Sequence, residues 1–141
     1  MSALRSYAAD HDGFYPKGGE TALESLQLLY NKTNDYIGEV SLLAGISGDI
    51  NENERRIKMG LPIDEKVSSW IYFPGFRVDD NGKLAIIWER QEGIRFNGLF
   101  ANGHAVGFAD GHHEQVPQAH WGEFLKQQEA LRQATLTKRK N

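Results

Sequence analysis

Apolar and polar positions along this chain switch between helical and strand spacing. Near the start, Leu4, Tyr7 and Ala8 fall at i, i+3 and i+4, one stripe of a helix over 2–9. A helix this short is marginal alone in water, so it must dock on a core or continue upstream. Asp10-His11-Asp12-Gly13 ends it, with Gly13 as the cap and Pro16 preventing resumption. Thr21-Ala22-Leu23-Glu24 is a capping box opening a second helix to about Tyr30 or Asn31. Leu23, Leu26, Leu29 and Tyr30 are its expected buried face, and 31–37 reads as a turn and a short extended piece.

Over 41–62, Gly45 and Gly48 interrupt the pattern, and 51–58 is charged with no clear apolar stripe. This stretch is expected to be an irregular surface connection with one helical turn around Glu52 to Lys58. Val67 to Phe73 then reads as a strand, broken by Pro74-Gly75. Asp79-Asp80-Asn81-Gly82 is a turn, and Leu84 to Glu89 returns as a nearly continuous apolar strand, hence central and covered on both faces. Ala105 to Ala109 and His112 to Val116 flank Asp110-Gly111, a strong hairpin signal. A two-residue turn there would set Ala109 opposite His112 and leave Asp110 at the tip, toward solvent. Pro117 ends the sheet, and Trp121, Phe124, Leu125 and Leu131 mark one face of a helix over 118–134. Strands grouped together with helices at the ends imply an α+β fold in a single domain over 1–141, its antiparallel sheet over 67–116.

Composition narrows the function classes. The chain is 40% apolar and 11% aromatic, enough for a folded core in one domain. A net charge of −3 and a pI near 5.9 argue against a nucleic-acid binder. The basic cluster Lys138-Arg139-Lys140 reads as a solvated tail. There is no cysteine, so no disulfide and no thiolate zinc site. No run approaches the roughly 18 apolar residues of a membrane span, so the chain as written reads as soluble.

Three segments carry a resemblance. LRSYAADHDGFYP is similar to the "L…YA.D..G.YP" that closes the long N-terminal helix of pilins, SSWIYFPGFRVDDNGKLAIIWER to "YVYVPGL…VLAYE", and FADGHHEQV to "FADGHVE". In that order they resemble bacterial prepilin-like proteins with a "His, nine residues, Asp-Gly" C-terminal domain, relatives of the major pseudopilin of type II secretion. Phe100 stands where that family carries its namesake histidine, and His104 is the nearest histidine. The residue after Asp-Gly-His is His113, and neither leader nor long apolar helix precedes the segment. The resemblance implies a pilin-like head: an N-terminal helix packed on an antiparallel meander, with a short C-terminal helix. It implies a structural subunit of a type II secretion or type IV pilus-related filament, not an enzyme. Its partners would be further copies through a missing N-terminal helix, other secretion or pilus subunits, and the inner membrane through that anchor. The head would face the periplasm.

Two rival readings rest on the residues. His104, Asp110, His112 and His113, with Asp79 and Asp80 as outside helpers, are the donors from which a zinc or iron site would be built, and a hydrolase or metal-binding domain would use His104, Asp110 and His112. Strand alternation divides His112 from His113, so the preferred reading is turn and surface residues, with His112 hydrogen-bonded to nearby backbone or carboxylate. Calcium is the second metal option, because major pseudopilins carry it; Asp10, Asp12, Asp79, Asp80 and Asn81 offer oxygens without the full spacing of a calcium loop. Otherwise no cofactor is expected. Glu89 reads as one half of a strand-end ion pair to Arg90 or Arg95. The third reading is a non-polymerising interaction domain of the same shape.

Overall fold

The computed structural model describes residues 1–30, 35–37, 40–96 and 99–140. Four strands, β1 (Trp70–Tyr72), β2 (Ala85–Glu89), β3 (His104–Phe108) and β4 (His113–Val116), pair in chain order as one antiparallel sheet. Helix α1 (Ser2–Ala9) covers one face and α4 (Gln118–Lys140) the other, giving an α+β fold of three layers. Of the stripe read from the sequence, Leu4 and Ala8 are buried in the α1-side core with Leu26, Leu29, Leu43, Tyr72 and Ile87, and Tyr7 packs half-buried against it. α1 lies close to the sheet because β3 carries Gly107 where it passes; a Cβ there would collide with the Met1 side chain.

β2 is buried at all five positions, as its apolar run predicts. A bulge between Ala85 and Ile87 puts Ile86 and Ile87 into the same core, so alternation fails at that step. Trp88, Val106, Phe108 and Val116 face the α4 side.

The capping box is present: Thr21 accepts from the Glu24 main-chain N–H, and the Glu24 carboxylate accepts from the Thr21 N–H. The helix it opens, α2 (Ala22–Ser25), tightens at once into a 3₁₀ turn over Leu26–Leu29. At three residues per turn Leu26 and Leu29 align and are buried, while Tyr30 swings out to 42% exposure, against the expected buried face. The turn and extended piece expected over 31–37 fall largely outside the described residues.

Three other expectations are corrected. The connection 41–62 is more ordered than its composition suggests. A 3₁₀ turn spans Val40–Ala44, and a nine-residue helix α3 spans Ile50–Lys58, capped by the Asp49 side chain and laced by Glu52 with Arg55 and Arg56. Local charge pairing and a cap support α3 where an apolar stripe is missing. The first strand is three residues long, because the side chains of Ser68 and Ser69 and the Ser69 amide turn to the 43–47 segment, while the Ser68 amide donates to the Asp64 carbonyl.

The C-terminal helix is not short. It runs 23 residues to Lys140, and Arg139 binds Asp80 and the Gly75 carbonyl, so the basic end is tied down instead of forming a loose tail. Its inward positions are Trp121, Phe124, Gln128 and Leu131, while the expected Leu125 is 36% exposed.

Candidate functional site

The closing hairpin gathers the residues to which sequence chemistry points. Its register pairs Gly107 with His113, and the Phe108 N–H donates to the His112 carbonyl at 2.9 Å. The loop is therefore three residues, Ala109-Asp110-Gly111, not the expected two, and Phe108 stands opposite His112. The Gly111 N–H closes the turn on the Phe108 carbonyl at 2.9 Å, and Gly111 takes φ +93°, a value open to glycine at no steric cost. The one-residue shift stacks the His112 ring on Phe108, centroids 4.4 Å apart and nearly parallel.

Asp110 stands exposed at the turn, as expected, and its carboxylate folds back on the strand. Its Oδ1 accepts from the His112 main-chain N–H at 3.0 Å and binds the His112 Nδ1. These two donors hold the Asp110 carboxyl below the usual carboxylate range, the main-chain bond contributing most. Glu114 approaches His112 Nε2 at 3.5 Å. This is the local hydrogen bond preferred from the sequence.

His104 is elsewhere. It begins β3 opposite Val116, four positions from Phe108, so about 13 Å of strand separates it from the Asp110–His112 pair. It is 6% exposed, its ring stacks on Trp121 at 3.9 Å, and its Nδ1–H donates to the Glu89 carbonyl at 3.0 Å. His113 lies on the opposite face, edge-on to Phe96.

Of the carboxylates offered as helpers or calcium ligands, Asp10, Asp79 and Asp80 are engaged. Asp10 accepts from the Tyr36 hydroxyl, Asp79 pairs with Arg77 at 2.9 Å, and Asp80 takes the Arg77 N–H and Arg139. Among the described residues, no three His, Asp or Glu side chains gather closely enough to hold a metal ion. The hairpin thus does not bring His104, Asp110 and His112 together.

Sequence reasoning missed two polar devices. Glu89 is fully buried without an ion pair to Arg90 or Arg95. Its Oε2 accepts from the Ile46 N–H (3.0 Å) and Ser69 Oγ (2.8 Å); its Oε1 accepts from Ser47 Oγ (2.6 Å) and the Gln91 N–H (3.3 Å). Arg90 reaches the Glu65 carbonyl instead. Gly45, at φ +76°, lets the 44–47 loop close on this carboxylate; a Cβ there would strike Ser69 Oγ. The second device is Gln128, 4% exposed, which accepts from the Ala85 N–H at 2.8 Å and donates to the Lys83 carbonyl at 2.9 Å. It serves backbone groups that β2 leaves open at its start and pins α4 to the sheet. Its place four residues after Phe124 and three before Leu131 was the available signal.

The three segments of the resemblance meet in space. The Tyr15 hydroxyl donates to the Ala109 carbonyl of the hairpin at 2.5 Å, the Tyr15 N–H to the Phe76 carbonyl at 3.0 Å, and the Tyr72 hydroxyl to the Pro16 carbonyl at 2.6 Å. Burial raises the Tyr15 hydroxyl to about 12 and the Tyr72 hydroxyl further, keeping both neutral donors. No family model matches this chain, and no curated protein or solved structure is significantly similar to it. No helix among the described residues is long and apolar enough to cross a membrane.

Proposed function

We propose that this chain is the globular head of a pseudopilin-like structural subunit, whose work is assembly by burial of surface rather than turnover of a substrate. The observation that carries the reading is the junction at Tyr15. The three segments resembling the prepilin-like family (the end of α1, the Pro-Gly strand pair and the Asp-Gly hairpin) are cross-linked by the Tyr15 and Tyr72 hydroxyls into one buried unit. Such a unit fixes the direction in which α1 leaves the sheet, which is what a head carried on a helical stem requires. The polar residues most open to a catalytic reading are otherwise employed. Glu89 holds a loop, His104 packs under α4, and Asp110 with His112 closes a turn.

The stem, the inner-membrane anchor and the periplasmic placement belong to this proposal. The test is made in cells that express the protein from its own gene, by fractionation and by sequencing the N-terminus of the endogenous polypeptide. About 20 apolar residues immediately before Met1, with the protein in the inner-membrane or sheared-filament fraction, is the expected result. An endogenous polypeptide beginning at Met1 and remaining in the soluble fraction overturns it, and leaves a free-standing interaction domain.

A further inference from the structure

Between the first turns of α1, the two 3₁₀ turns and the sheet lies a groove of about 530 Å³. Leu26, Leu29, Leu43, Trp70, Ile87 and Phe96 are among the apolar residues that line it. That volume and lining are those of sites for small, mostly apolar molecules. Among the described residues, the ionisable side chains lining it are Arg5 and His113, with no Asp or Glu. Arg5 runs along the hairpin turn, its Nε 2.7 Å from where a Cβ on Gly111 would stand. The guanidinium stem is thus laid across the same end of the groove as His113. Among the described residues no carboxylate forms an ion pair with Arg5.

We propose that this groove binds a small amphipathic carboxylate, its apolar body along Leu26, Leu43, Trp70 and Ile87 and its anionic end at Arg5 and His113. Charge complementarity selects the occupant. A cationic end on an apolar trough disfavours amines, and a neutral ligand gains nothing from the guanidinium, whereas a carboxylate matches the guanidinium's fork. This inference is independent of the filament reading and survives or fails without it.

The test is isothermal titration calorimetry of the purified chain with decanoate below its micellar range, octanoate, and 1-decanol. Decanoate is expected to bind at one site per chain, about tenfold more tightly than octanoate, since each buried methylene is worth up to about fourfold in affinity. Arg5→Gln weakens decanoate about tenfold and leaves 1-decanol unchanged. Leu42→Ser, at a groove-lining residue 54% exposed, weakens both ligands. Both residues are exposed, so the variants keep the parent's circular dichroism. Absence of saturable one-to-one binding overturns the proposal, as does decanoate affinity unchanged by Arg5→Gln. So does a dimer of the chain that Leu42→Ser dissociates while decanoate fails to bind, which assigns the groove to a second copy.

Discussion

Replacing Glu89 with Gln tests whether a buried carboxylate that forms no ion pair among the described residues stabilises this fold. Each carboxylate oxygen accepts one main-chain N–H and one serine hydroxyl: Ile46 and Ser69 on one side, Gln91 and Ser47 on the other. Whichever way the amide is turned, its NH₂ therefore meets one of each. The serine can rotate to accept, but the main-chain N–H cannot. One unsatisfied buried donor costs roughly 1–3 kcal/mol, and the two bonds kept by the remaining oxygen lose their charge assistance, roughly 1 kcal/mol each. Opposing this is relief from burying a charge, a term that reaches several kcal/mol for a poorly solvated ion. Four donors already solvate this carboxylate, so we expect a net loss of about 2–3 kcal/mol. Urea unfolding followed by tryptophan fluorescence should show a midpoint lower by about 1–2 M with an unchanged slope. Hydrogen exchange at the Ile46 or Gln91 amide should accelerate. A variant as stable as the parent, or more so, would refute the reasoning and show that burying the charge costs more than its four bonds return.

Gln128→Ala should destabilise by about 2 kcal/mol and speed exchange at the Ala85 amide, because that N–H loses its acceptor inside the protein. Unchanged Ala85 exchange would refute this role. In alkaline titration the Tyr15 hydroxyl should ionise near 12 rather than 10. Its folded value is raised, so its contribution to stability is full below pH 10 and is lost as pH rises through 12. Ultraviolet absorbance and unfolding followed together check this, and Tyr15→Phe should remove that part of the alkaline transition. Arg55 and Arg56 lower the Glu52 carboxyl to about 2, so the ion pairing that braces α3 is full above pH 4.5 and fades as pH falls toward 2. A carboxyl NMR titration with a midpoint near 4.5 would contradict it. Trp121→Ala should cost about 2–3 kcal/mol by stripping packing from His104, Trp88 and Phe124.

Much of the fold is legible wherever a few adjacent residues carry the whole signal. The stripe of α1, the Thr21 capping box, the apolar run of β2 and the Asp-Gly turn each draw on groups within one or two turns of chain. Their energies are decided locally, so their residue types suffice to place them. α3 was only half visible, because it rests on a cap and charge pairs instead of an apolar stripe.

What the tertiary structure decided is every choice that depends on a partner distant in the chain. The hairpin's existence is local, but its three-residue loop follows from pairing β3 with β4 so that Gly107 meets His113. That single step places His112 on Phe108, while His104 stands at the far end of β3 by its position in the strand. Gln128 replaces Leu125 on the inner face of α4 because the Ala85 N–H and Lys83 carbonyl, more than forty residues away, need partners where that face lands. Glu89 is buried rather than paired at the surface because Ser47, Ser69 and the Ile46 amide close over it from a loop that passes beside the sheet. Sequence fixes which groups seek burial or a hydrogen bond. Only chain closure, which brings residues 20 to 45 positions apart into contact, decides which of them meet.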